Sequence, residues 1–301
     1  MKENILDLEC QPNEVALNPS LLADGDNYLL AVRHDALDWA YVGAYREVPM
    51  RQFWGTSHVT VEEMDAALKP TGRRITLEEG QDPRLFRAMG KLWLAYTTLP
   101  RMWRQWVVGV SMAHHFEAFG SPMLPCYEDN TRIIGPHHKN WTWINGAGSL
   151  DCVFRWEPFT ALRFDQDGCC IEKHSDNTVI LPWRYGVVHG GTPSVLLPSG
   201  ERFSIFHSHL DDPRRYYMGG VYHAPEWPYR PIKTLQRPLM IGTRRFVRWP
   251  NLLTGERREV VFPCGLVAKH DRLLVSYGVD DCACAVAEFS YEELKDYDTG
   301  A

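Results

Sequence analysis

Lys91-Leu92-Trp93-Leu94-Ala95-Tyr96 is a short apolar run opened by a charge and closed by an aromatic ring, and the chain writes it five times without copying it. The other four are Asn27-Tyr28-Leu29-Leu30-Ala31-Val32-Arg33, Leu150-Asp151-Cys152-Val153-Phe154-Arg155, Arg202-Phe203-Ser204-Ile205-Phe206-His207 and Arg272-Leu273-Leu274-Val275-Ser276-Tyr277. Successive runs lie roughly 50 to 70 residues apart, the period of a propeller blade that carries insertions. Most follow a polar or turn-forming segment, among Asn18-Pro19, Asp82-Pro83, Lys139-Asn140-Trp141, Gly191-Thr192-Pro193 and Phe262-Pro263-Cys264-Gly265. Small-residue strands come after them, at residues 39–45, 106–111, 217–222 and 283–287, suited to packing near an axis or against the next blade. Helical periodicity is scarce, with short candidates only at residues 61–68 (helix or turn) and 291–295, and 20 prolines oppose an α-rich fold. A β-sandwich is the competing architecture. Radial repetition fits five long units better, so the expectation is an all-β, single-domain, five-bladed β-propeller, with blades near 18–60, 78–118, 136–168, 186–225 and 258–290.

Composition narrows the partners. A net charge of −6 disfavours a nucleic-acid backbone. No apolar run approaches the ~18 residues of a membrane span. Met1-Lys2-Glu3-Asn4 lacks the apolar core of a signal peptide, so a cytoplasmic location is expected. The eight cysteines show no paired metal-binding spacing and are expected as reduced structural thiols, with Cys282 and Cys284 on one strand face. Eleven Trp, 13 Tyr and 12 Phe suit strand packing and also stacking on sugar rings.

Chemistry-bearing residues gather at the polar unit starts. In Gly80-Gln81-Asp82-Pro83-Arg84, proline stiffens the backbone and aims the Asp82 carboxylate, although an Asp82–Arg84 ion pair in a plain turn reads the same residues. His137-His138-Lys139-Asn140-Trp141 offers cationic and amide donors beside an indole, suited to sugar hydroxyls or a phosphate. His189-Gly190-Gly191-Thr192-Pro193 lets backbone approach a ligand, and His207 and His209 share a strand face near Arg214, Arg215 and Tyr217. Neither histidine group has a third ligand at a telling spacing, so no metal is expected. Ser276-Tyr277-Gly278-Val279-Asp280-Asp281 suits a channel rim or a hairpin turn equally. Asn18-Pro19-Ser20 and Arg33 open the first unit and could close the ring with the fifth.

Taken in order, Asn18-Pro19-Ser20, Asp82-Pro83-Arg84 before Gly-Lys-Leu-Trp-Leu-Ala-Tyr-Thr, Lys139-Asn140-Trp141, Gly190-Gly191-Thr192-Pro193 and Ser276-Tyr277-Gly278-Val279-Asp280-Asp281 resemble the five-bladed propellers of glycoside hydrolase family 130 and the related β-1,2-mannosyltransferases and mannoside phosphorylases. The resemblance implies a glycosidase-like propeller in which Asp82 is the general acid and phosphate attacks the anomeric carbon. It implies sugar or phosphate binding by Lys139, Asn140, His189 and an arginine of the fourth unit, Arg214 or Arg215, and a channel lined by Tyr277 and Asp280; Arg33, Arg84, Trp141, His207, Arg215 and Tyr217 complete the binding candidates. The chain departs from the family in carrying Gln81 where a glutamate usually precedes the aspartate, and in showing little sign of extra terminal helices.

The expected activity is thus an inverting mannoside phosphorylase or β-mannosyltransferase. No cofactor is expected; an oligosaccharide, inorganic phosphate or a sugar phosphate is the substrate, and a homo-oligomer is left open. Inverting hydrolysis is the alternative, and needs a second carboxylate about 6.5–9.5 Å from the first, with Asp35, Glu157 and Asp280 as candidates. A non-catalytic glycan-binding propeller and a protein-interaction platform complete the alternatives.

Overall fold

A computed structural model describes residues 1–10, 14–36, 57–77, 80–98, 107–113, 116, 118–126, 139–211, 214–243, 245 and 259–298. The described residues form five antiparallel sheets arranged as one five-bladed propeller, with a single helix at Tyr291–Asp298. Blade I holds the strands Glu14–Asp24, Asn27–Ala36, Ser57–Met64 and Pro70–Leu77, in that order. Blade II holds Gln81–Ala88, Lys91–Thr98 and Val107–Ala113, and blade III holds Thr142–Trp143, Leu150–Trp156, Phe159–Phe164 and Cys170–Asp176. Blade IV is built on Val195–Leu196, Arg202–Asp211, Arg214–His223 and Pro231–Thr234, with Met240–Ile241 also on its third strand. Blade V is Val261–Lys269, Arg272–Val279 and Ala283–Ser290, completed on the outside by Lys2–Ile5 from the start of the chain.

The recurrent apolar runs are the second strands of the blades, and blade stacking explains their composition. A second strand is covered on both faces, so neither face needs to be polar. In Asn27–Ala36, Leu29 and Ala31 enter the seam with blade II, whereas Tyr28, Leu30 and Val32 enter the seam with blade V. One apolar cluster fills each of the five seams. The outer strands have a free face, and Pro70–Leu77 and Cys170–Asp176 are accordingly mostly exposed.

Polar bonds lace the inner strands together. The Ser20 hydroxyl of blade I donates to the Cys264 carbonyl of blade V (3.1 Å) and accepts from the Leu85 amide of blade II (2.8 Å). The Arg87 amide of blade II donates to Asn145 of blade III (2.7 Å), and the Ser194 amide of blade IV to the Trp143 carbonyl (2.8 Å).

Several expectations change. Residues 61–64 belong to the strand Ser57–Met64, and only the following residues turn; the strand partner's apolar seam overrides local helical character. The small-residue strands are third from the axis and pack against neighbouring rings: a Cβ on Gly219 or Gly220 would lie 2.4 Å from Phe206 or Phe203. Their first member, at residues 39–45, lies outside the described residues, as do His137 and His138. Lys2–Ile5 completes blade V from the start of the chain, and the Asn18-Pro19-Ser20 segment also joins the first unit to the fifth, through Ser20 and the Cys264 carbonyl. Cys282 sits in the turn before Ala283, its thiol bonded to the Asp280 carbonyl (2.9 Å), so it does not share a strand face with buried Cys284. All eight cysteines are free thiols, and no described helix is long and apolar enough to cross a membrane.

Ser20→Ala should cost about 1–3 kcal/mol, because one deletion leaves a buried amide and removes a donor from a buried carbonyl. Urea unfolding monitored by Trp fluorescence checks it; an unchanged midpoint would show that the axial relay is dispensable.

Candidate active site at the inner-strand ends

Inner strands run parallel to one another about the axis, so their N-terminal ends meet at one end of the channel. There the ladders break in a common way. The register skips between Leu17 and Ser20 and between Gln81 and Arg84, placing Asn18-Pro19 and Asp82-Pro83 in bulges. Asn18 (φ 52°) and Asp82 (φ 51°) adopt the left-handed conformation, as does Asn140 (φ 64°) before the inner strand of blade III. Asn and Asp tolerate that region better than other side-chain-bearing residues. Proline next in line has no N–H to waste at a bulge. The outcome is to turn Asp82 out of its own sheet and toward blade I.

Asp82 is buried, with 7% of its surface exposed. Its Oδ1 accepts from Asn18 Nδ2 (2.7 Å) and Arg33 Nη1 (3.1 Å), leaving Oδ2 without a partner among the described residues. Arg33 reaches back with Nε and Nη2 to both oxygens of Asp35 (2.8 and 2.7 Å). Asp35 also accepts from the Ser57 hydroxyl (2.7 Å), which accepts from Gln81 Nε2 (2.9 Å). Gln81 therefore ends a relay that steers Arg33 onto Asp82. A glutamate there could not donate to Ser57.

Electrostatics decide the state of Asp82. Burial alone would push its carboxyl up, but the charges of Arg33, Lys139 and Arg84 and the bond from Asn18 more than offset this, and its pKa lies well below the ordinary carboxylate range. At neutral pH Asp82 is a carboxylate. The alternative of an Asp82–Arg84 side-chain pair does not form: Arg84 Nη1 donates to the backbone carbonyls of Asp82 and Pro83 (both 2.9 Å), and Nε reaches across the axis to the Gly191 carbonyl.

That reach leaves Arg84 Nη2 buried with no partner. The guanidinium carbon stands 5.4 Å from the centre of the Phe262 ring, and His207 packs on the same ring at 4.6 Å. His207 Nδ1 is likewise buried and unpartnered. The His189 ring stacks on His207 (5.4 Å) and His209 (5.9 Å). Burial and the neighbouring charges of His189, Arg84, Lys139 and His209 hold His207 neutral, its pKa well below 6.5. Glycines permit this closeness: a Cβ on Gly190 would lie 1.9 Å from the Asn140 carbonyl, and one on Gly191 2.4 Å from that of Ile205.

Arg33, Asp82, Arg84, Lys139, Asn140, His189 and His207 thus converge, with Lys139 exposed at the mouth. Others turn elsewhere. Trp141 is packed in the seam between blades II and III, stacked on Phe164 at 6.0 Å. Tyr277 is fully buried between blades IV and V, its hydroxyl bonded to Glu3 of the closing strand, so it does not line the channel. Asp280 accepts from the Val260 and Arg245 amides (3.2 and 2.9 Å) and caps a turn. Arg215 pairs with Glu259, and Tyr217 packs on Tyr185 at 5.0 Å, both on the third strand of blade IV. Ser57 and Phe262 escaped the sequence reading; neither type stands out until strand pairing brings it to Gln81 or Arg84.

The comparisons agree on architecture. Residues 242–298 match the glycoside hydrolase 130 family model, described as β-1,4-mannooligosaccharide phosphorylase. No curated protein sequence matches the chain. The fold is similar to β-1,2-mannobiose phosphorylase from Listeria innocua in complex with β-1,2-mannobiose: TM-score 0.69, 13% identity, 97% of this chain and 94% of that one. It is also similar to a glycosyl hydrolase from Bacteroides ovatus (TM-score 0.67, 14% identity, 93% and 85% covered). A third likeness is to a GDP-Man-dependent mannosyltransferase from Leishmania mexicana (TM-score 0.64, 14% identity, 97% and 90% covered). These identities establish the propeller, and the three names span three reactions.

Two expectations test the site. Gln81→Glu should destabilise the fold at pH 7 by about 1–3 kcal/mol, through a lost donor and an added buried charge, with the deficit shrinking near pH 4 as the carboxyl protonates; urea midpoints at both pH values decide it. His207 and His223 are both buried with depressed pKa values, His223 at about 3. Their stabilisation is full above the unfolded value near 6.5 and falls as pH drops, at roughly 1.4 kcal/mol per pH unit per histidine. Thermal midpoints between pH 7 and pH 4.5 should fall accordingly, and His223→Gln should lessen the slope.

Proposed function

We propose that the protein is a carbohydrate-active enzyme that transfers a mannosyl unit between a phosphate-linked donor and a sugar hydroxyl, with inversion at the anomeric carbon. One observation carries this reading: a buried carboxylate held ionised stands beside buried, unpartnered Arg84 Nη2. An ionised Asp82 is ready to act as a base. Its free Oδ2 would take the proton of the acceptor hydroxyl as that oxygen attacks the anomeric carbon. The bond from that carbon to the phosphate oxygen breaks, and the phosphate leaves with the electron pair toward Arg84, Lys139 and the histidines.

Phosphorolysis is the same path reversed, and there Asp82 must begin protonated. An incoming phosphate supplies the means, since its negative charge beside Arg84 and Lys139 cancels the field that depresses the Asp82 pKa. Hydrolysis is less favoured because the candidate second carboxylates are engaged. Asp35 is gripped by Arg33 and Ser57, Asp280 caps its turn, and Glu157 accepts from the Leu181 amide (2.6 Å). A purely glycan-binding propeller has no use for an ionised carboxylate steered by a four-residue relay.

Incubation with mannose-1-phosphate or GDP-mannose and manno-oligosaccharide acceptors should release phosphate or GDP and extend the acceptor. Asp82→Asn should cut turnover by at least about 10²-fold, the lower range for loss of a general base. Arg84→Met should chiefly weaken the donor. Retained turnover in Asp82→Asn, or sugar binding with no turnover from either donor, would overturn the assignment.

A further inference from the structure

Blade I carries a second polar cluster, on the face turned away from Asp82. Residues alternate along Asn27–Ala36, so Arg33 and Asp35 face the seam with blade II while His34 faces the seam with blade V. His34 pairs in register with Ala16 on one side and His58 on the other. Glu14 stands two positions before Ala16, on the same face. The His34 and His58 rings stack at 4.9 Å, 8° from parallel. Glu14 Oε2 lies 3.9 Å from His34 Nδ1, and its Oε1 3.9 Å from His58 Nδ1. One ligand atom from each of the three residues falls within 4.8 Å of the others.

His34 is the telling member. It is 2% exposed, its Nε2 is bonded to the Thr60 hydroxyl (2.9 Å), and its Nδ1 is buried without a hydrogen-bond partner. A buried orphan nitrogen is costly unless something fills it. Anchoring of one ring nitrogen by a neighbour while the other points at shared donors is how metal-binding histidines are oriented. Beside the cluster opens a cavity of about 460 Å³ lined by Glu9, Cys10, Glu14, His58, Arg74 and Thr76. Arg74 is the one cation in that wall, and its guanidinium is turned to the Glu9 carbonyl (3.3 Å).

We propose that Glu14, His34 and His58 bind a divalent first-row transition-metal ion, with its remaining coordination open to the cavity. Two imidazoles and one carboxylate suit zinc, iron, cobalt or nickel, and lack the oxygen-rich shell that calcium or magnesium needs. Metal–ligand bonds of about 2.0–2.1 Å would set the donors about 3.4 Å apart in a tetrahedral site, a contraction within reach of side-chain rotation. The ion would tie the first three strands of blade I together where the chain enters from the closing strand. Local spacing hid this site, because its ligands come from three different strands.

The test uses the untagged full chain, stripped with chelator and titrated with Zn²⁺ by calorimetry and with Co²⁺ by visible absorption. One ion per chain is expected, with cobalt d–d bands of four- or five-coordinate intensity. Glu14→Gln and His58→Gln change partly exposed residues and should each weaken binding at least about 100-fold, the upper range seen for loss of a mere outer-shell partner. Circular dichroism verifies that both remain folded. Absence of stoichiometric binding, or unaltered affinity in both variants, would overturn the proposal. So would binding that survives in both but vanishes in Cys10→Ser, which would assign the metal to the thiol.

Discussion

Everything at the channel end depends on one constraint: an inner strand cannot both complete its ladder and present side chains to the axis. Asn18 and Asp82 resolve it by left-handed bulges, which interrupt pairing for two residues and swing the side chain across a seam. The proline that follows keeps the bulge from closing into regular pairing, since it has no amide to donate. Past the bulge the strand resumes at once, and Ser20 and Leu85 then bind the neighbouring blades together. The strained residues are thus held by regular structure on both sides, which is the condition under which strain persists.

Once turned, Asp82 meets more cationic groups than its single charge can neutralise. Arg33 is shared between Asp35 and Asp82, binding the first through two nitrogens and the second through one. Fork geometry makes the Asp35 pair the stiffer anchor, so Asp35 acts as the clamp that positions the guanidinium for Asp82. Lys139 and Arg84 then tip the local charge to positive without touching the carboxylate directly. An ionised acid in a positive field is a better proton acceptor than donor. An anion placed beside Arg84 and Lys139 would work against that preference.

The propeller was legible because blade stacking leaves a local mark: second strands buried on both faces read as unbroken apolar runs, as in Leu29–Val32 and Leu92–Ala95. The polar starts were legible for a related reason, since the bulges of blades I and II each use Asn or Asp followed by proline, and those residues are adjacent in the chain. What local reading could not supply was direction. Tyr277 and Trp141 sit one residue or less from channel-end positions, yet alternation sends both into seams. Gln81 looked like a departure from a charged pair, and strand pairing instead makes it the donor at the end of a relay. Ser57, Phe262 and the Glu14–His34–His58 group needed three-dimensional pairing before any of them meant anything.

The strand end Arg33-His34-Asp35 shows how closely the two polar clusters are connected. Period-two alternation alone assigns its three side chains to opposite faces, so a shift of register by one residue would exchange the groups offered to each side. The His34↔His58 pairing that aligns two metal-ligand candidates therefore also fixes Asp35 opposite Ser57, and with it the clamp on Arg33. A cation held behind blade I would stiffen that register. Its positive charge would also act through the sheet on Asp82 in the direction that keeps it ionised. Occupancy on one face and proton affinity on the other would then be coupled through a single strand, with no moving part between them.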